Sequence, residues 1–168
     1  APTWFDPAET PSVITPFMML YALHEAVVKP MPGEPMAPSL AESWTVSKDG
    51  KSVRVQLRRG LRFSNGDLFD ADDVLFTFQV YLDEKVHSPQ RDLLIVGGKP
   101  ITVQKLDSHT VRFEVALPYA AGDRLFDSLA ILPRHLLEKP YREGRLAQAW
   151  TLSTPPNQLA GLGPFRLK

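Results

Sequence analysis

The 168-residue sequence contains no cysteine. That excludes a disulfide framework, a thiol nucleophile and any thiolate metal site. Nor is there an excess of charge of either sign, because nineteen basic side chains balance nineteen acidic ones. A nucleic-acid-binding surface usually carries a basic excess or stripe, so no nucleic-acid partner is expected. The longest apolar run, Phe17–Leu23, is far too short to span a bilayer. Ala1 to Phe5 lack the basic start and apolar stretch of a secretory leader. The chain is expected to be soluble as given and not membrane-spanning. No internal repeat is visible.

What is present in excess is proline. Sixteen residues are proline, about double the average frequency of ~5%. This favours short elements and extended connections over a helical bundle. Hydrophobic residues make up 43% and charged residues 23%, a globular composition at a length that can bury a sizeable core. The charge balance hides an asymmetry: residues 1–84 carry net −5 and residues 85–168 net +5. Two complementary halves packing together would explain it.

Thr15-Pro16 before apolar Phe17, Leu20, Tyr21, Leu23, Val27 and Val28 predicts a helix that Pro30 stops, with His24 on the stripe of Phe17, Tyr21 and Val28. Pro30–Pro38 holds four prolines in nine residues and reads as an extended crossing segment. Residues 43–63 then alternate, with turns at Ser47–Gly50, Arg59-Gly60 and Asn65-Gly66. Asp70-Ala71-Asp72-Asp73 opens a second helix with a buried stripe of Val74, Leu75, Phe78, Tyr81 and Leu82. Strands are predicted at Ile101–Leu106 and Thr110–Val115. Helices follow from Pro118 through Leu125 and Leu129, at Pro133–Leu137, and near 141–150. Gly161–Lys168 reads as the start of a strand. The fold class is α+β, a small and mostly antiparallel sheet with covering helices.

Catalytic patterns are scarce. Asp70, Asp72 and Asp73 could suggest a small hydrolase, but an N-cap with acids at the positive end of the helix dipole explains them. The calcium-loop spacing is not met. His24-Glu25 lacks the second histidine of a zinc-protease helix, because position 28 is Val28. Gly97-Gly98-Lys99-Pro100 is not a phosphate-binding loop, and no G-x-S-x-G nucleophile elbow exists. Arg58, Arg59 and Arg62 read as charge guarding a strand edge rather than as an anion site. No catalytic residue, metal or cofactor is assigned, which favours a binding protein over an enzyme. An independent interaction module using sheet edges or the proline-rich segment is the alternative.

The order of motifs is more specific than any one of them. Leu20-Tyr21-Ala22-Leu23 precedes Pro38-Ser39-Leu40-Ala41-Glu42-Ser43-Trp44. Ser47–Lys51, Val53–Phe63, Asn65-Gly66-Asp67 and Asp70–Val74 follow. Later come Leu106–Phe113, Ile131–Leu137 and Gly161-Leu162-Gly163-Pro164-Phe165. This set resembles the amino-terminal third of family 5 extracellular solute-binding proteins, the peptide- and nickel-binding components of ABC importers. The family usually has Thr where Leu162 stands, and often Pro where Leu68 stands.

The resemblance implies a non-catalytic fragment of a two-lobed binding protein, lacking the opposing lobe. Residues 40–155 would form a small inserted domain. Residues 1–39 and 156–168 would be incomplete flanks of the first lobe. The implied ligand is a small solute, peptide first, with dipeptides, longer peptides, metal chelates, opines and sugars undistinguished. The implied partners are ABC permease subunits, and the implied location is periplasmic or extracellular. Aromatic and methionine side chains suit an adaptable apolar pocket. The candidate ligand-binding residues are therefore Phe17, Met18, Tyr21, His24 and Phe165, with Arg124 and Asp127 as lesser candidates.

Overall fold

The computed structural model describes residues 22–31, 34–118, 126–127, 129–151 and 153–166. Its centre is a four-stranded antiparallel sheet of β3 (Ala41–Val46), β4 (Ser52–Leu57), β7 (Thr102–Asp107) and β8 (Thr110–Glu114), in the order β3-β4-β8-β7. The alternation in the sequence becomes a two-faced sheet. Val53, Val55 and Leu57 point to the core, and Val55 pairs with Val111 while Val53 pairs with Phe113. Two small hairpins flank it: β1 (Val28–Met31) with β2 (Glu34–Pro38), and β5 (Ile95–Val96) with β6 (Lys99–Pro100).

Helix α1 (Ala71–Leu82) lies over the sheet. Its start follows the capping prediction. The Asp70 carboxylate accepts from Asp72 N–H at 2.8 Å, and the Asp73 carboxylate accepts from Asp70 N–H at 3.0 Å. The expected stripe is found, with Val74, Phe78 and Tyr81 buried and Leu75 and Leu82 half-buried. Phe76, Thr77 and Val80 are buried as well, because helix α2 (Arg134–Arg142) and residues 129–132 cover a further side of α1. Phe78, Phe113 and Phe126 meet with ring centroids 4.3–6.2 Å apart, an aromatic cluster at favourable separation. A short helix α3 (Leu146–Ala149) follows α2.

One face of α1 takes the place of a strand. Residues 129–133 form neither helix nor strand, and alternate residues along 130–134 reach α1 at every fourth position. The Asp73 carboxylate accepts from Arg134 N–H (3.0 Å) and Thr77 Oγ1 accepts from Leu132 N–H (2.9 Å). A longer contact joins the Tyr81 hydroxyl to the Ala130 carbonyl (3.5 Å). Four helical residues rise about 6 Å and two extended residues about 6.6 Å, so the two spacings match.

Several expectations are corrected. The helix predicted to run to Pro30 does not: residues 24–27 are non-helical and Val28 opens β1, while residues 1–21 lie outside the described residues. Val28 therefore cannot share a helical stripe with His24. Pro30–Pro38 is extended as expected where it is described, and there β1 and β2 pair with each other, which proline permits in a two-stranded edge structure; residues 32–33 lie outside the described residues. The helix predicted to reach Leu129 does not reach it, because Leu129–Leu132 are non-helical and bond to α1 instead; residues 119–125 lie outside the described residues. No strand forms over residues 161–166. The 141–150 helix is split between the end of α2 and α3, with Gly144 at φ +67° between them.

Asp73 is only 5% exposed. Burial pushes its carboxyl up to about 6, against the opposing pull of the N–H groups of Asp70 and Arg134. A folded-state value above the unfolded one means the group's stabilising contribution is full below about pH 4. It is lost as pH rises through about 6. Asp73→Asn keeps the shape and removes the ionisation. The stability of the wild type relative to Asp73→Asn is expected to grow between pH 7 and pH 4, by an amount on the order of 3 kcal/mol. Urea unfolding across that range measures it; a difference independent of pH would contradict it.

Candidate functional site

Two of the five sequence-predicted binding residues fall in the described part, and the fold brings them together. His24 and Phe165 line one shallow concavity with Leu23, Ser64, Trp150 and Leu159. His24 is 3% exposed and stacks on Trp150, with ring centroids 5.8 Å apart and planes at 25°. Trp150 is held in turn by its indole N–H, which donates to the Gln158 carbonyl at 3.1 Å. Phe165 stands at the rim, 68% exposed. Phe17, Met18, Tyr21 and Arg124 lie outside the described residues, and Asp127 is half-buried away from this concavity.

The concavity exists because three chain segments meet edge to edge. Gly163 N–H donates to the Leu23 carbonyl (3.0 Å) and Phe165 N–H to the Ala22 carbonyl (2.9 Å). On the other side Ser64 N–H donates to the Gly161 carbonyl (2.9 Å), and Gly161 N–H donates to Ser64 Oγ (3.3 Å). These approaches admit no side chain at two positions. A Cβ on Gly161 would lie 1.8 Å from the Leu23 carbonyl oxygen, and one on Gly163 would lie 2.5 Å from that of Ala22. The G-x-G-P-F motif is thus a close-packing requirement. Leu162 between the glycines packs partly buried against the core.

The acidic candidates have structural partners. Asp70 and Asp73 form the cap described above, and Asp72 pairs with Lys105 at 2.9 Å. Arg58 and Arg62 donate to the carbonyls of Ser39 and Gly66, so two of the three clustered arginines tie down loops. A second concavity lies where α1 and α2 end, lined by Asp83, Val86, Tyr141 and Leu146. There the Tyr141 hydroxyl donates to Asp83 at 2.7 Å. That bond and the Lys85 N–H hold the Asp83 carboxyl below its ordinary range, while burial and then Asp83 push the Tyr141 hydroxyl up to about 12. Among the described residues no group of three or more His, Asp or Glu could hold a metal. No helix there is long and apolar enough to cross a membrane.

Trp150, Ser64 and Leu159 were not singled out in the sequence. Trp150 ends a polar helical stretch just before Thr154-Pro155-Pro156, and a lone large aromatic in that context is the signal that could have found it. Ser64 sits beside an Asn-Gly turn and carries no signal of its own.

The sheet, its covering helices and this three-segment junction are the architecture of part of a peptide-binding-protein fold. The oligopeptide-binding protein AppA of Bacillus subtilis, solved with a nonapeptide, superposes with a TM-score of 0.78 at 25% identity, over 99% of this chain and 32% of that one. Di/tripeptide-binding protein 1 of Pseudomonas aeruginosa (strain UCBPP-PA14) is 36% identical over 98% of this chain and 33% of its own length. Di/tripeptide-binding protein 2 of the same strain is 36% identical over 71% of this chain and 25% of its own. The model of bacterial extracellular solute-binding proteins, family 5 Middle, matches residues 35–168. The chain belongs to that family. It spans a quarter to a third of the length of these curated relatives.

Gly161→Ala sets a methyl group against a backbone oxygen that cannot yield without breaking the junction. The loss of stability is expected to exceed about 3 kcal/mol, the upper end of ordinary overpacking. Thermal unfolding measures it; a wild-type melting temperature would contradict the close approach.

Proposed function

We propose that the protein containing this chain is the solute-binding component of an ABC importer and captures short peptides without chemical change. It works in the periplasm or outside the cell and delivers its solute to permease subunits. Residues 40–155 form a small domain inserted in the first of two lobes, with 1–39 and 156–168 belonging to that lobe. Ligand stabilises the closed arrangement of such hinged proteins, because it contacts both lobes only when they meet. The observation that carries this reading is the family match across residues 35–168, joined to 36% identity with relatives named for di- and tripeptides.

On this reading the aromatic concavity is part of the solute cleft. His24 and Trp150 form its inner wall and Phe165 its rim, with Phe17, Met18 and Tyr21 preceding it in the chain. Such a surface accepts side chains by apolar contact and leaves the peptide's charged ends to be met elsewhere. Native mass spectrometry of the full-length protein purified from its host is expected to show short peptides bound. Calorimetry with dipeptides is expected to give saturable binding. A ligand of another class, or none at all, would overturn the proposal.

A further inference from the structure

The width of the concavity is fixed by backbone contacts. One wall is the His24–Trp150 stack, itself anchored by the bond from Trp150 to the Gln158 carbonyl. The other is residues 161–165, gripped from two sides. Ser64 holds Gly161 through both its N–H and its hydroxyl, and the carbonyls of Ala22 and Leu23 hold Phe165 and Gly163. Leu23 and His24 are neighbours, so one short segment carries an inner-wall ring and anchors the outer wall. The gap between the walls is then set by how closely residues 161–163 approach residues 22–24. That approach is possible only without a Cβ at 161 and 163, the former also lying 3.1 Å from His24 Nδ1.

We infer that Gly161, Gly163 and Ser64 are positioning residues that set the size of the apolar side chain this concavity accepts. The inference rests on the proposal that the concavity is part of the solute cleft. It adds that selectivity by side-chain size is written in the junction rather than in the residues that touch the solute. Moving the 161–165 wall outward should loosen contact with a small side chain and leave a bulky one still able to fill the gap.

The test uses the full-length protein, with calorimetry of Ala-Ala and Ala-Phe. In Gly163→Ala the affinity for Ala-Ala is expected to fall roughly tenfold, the scale of a one-methylene misfit. The affinity for Ala-Phe should change far less. Ser64→Ala, which removes the acceptor for Gly161 N–H, should shift the ratio the same way by a smaller factor. Ser64→Thr keeps the hydroxyl and should restore the wild-type ratio, a rescue that general loss of stability would not produce. If Gly163→Ala does not fold, the Ser64 pair decides. Equal falls for both dipeptides, or one ratio for Ser64→Ala and Ser64→Thr, would overturn the inference while leaving the proposed function standing. A wild-type protein that binds neither dipeptide would overturn both.

Discussion

The structure depends on the segment Ala22–Val27 giving away its carbonyls to remote parts of the chain. Those of Ala22 and Leu23 accept from Phe165 and Gly163, that of Glu25 from Ile131, and those of Ala26 and Val27 from Leu40 and Ala41. Five carbonyls of one six-residue segment thus join three stretches remote in sequence. In a helix most of these carbonyls would be spent on N–H groups four residues on, and the remote stretches would lose their partners. Ala26 and Val27 are buried, so the bonds form where an unsatisfied backbone group is costly. Residues 24–27 are therefore held out of a helix by what surrounds them, against their local sequence.

The second organising feature is the polar spine of α1. Asp73, Thr77 and Tyr81 offer a row of partners at helical spacing to a non-helical segment at strand spacing. This joins α1 to the start of α2 without a further strand. Thr77 also donates its hydroxyl to the Asp73 carbonyl, which orients it for Leu132. The cost is a carboxylate in a desolvated position. The cap and the N–H of Arg134 offset it only in part, which is why the Asp73 carboxyl titrates so high.

Much of this was legible from local chemistry. Alternation marked β4 and β8, Asp-Gly and Asn-Gly marked turns, and Asp70 marked the start of α1, because each signal and its cause lie within a few residues. Gly161-x-Gly163 was legible as a motif but not as a cause, since the atoms that forbid a side chain belong to residues 22 and 23. The helix expected up to Pro30 stops short at residue 24, because apolar Ala26, Val27 and Val28 form too short a run for its period to separate helix from buried strand. The partners of residues 25–27 lie at positions 40, 41 and 131. His24, a candidate from the predicted first helix, and Phe165, a candidate from the Gly161–Phe165 motif, come to line one concavity. Trp150 was missed because its place beside His24 is a product of tertiary contact alone.

Amide hydrogen exchange at Ala41, Ile131, Gly163 and Phe165 addresses the central claim most directly. All four donate to the Ala22–Val27 carbonyls. They are expected to be protected together and to open in one cooperative step, since they share a single acceptor segment. Protection at Ala41 and Ile131 with fast, independent exchange at Gly163 and Phe165 would contradict the account.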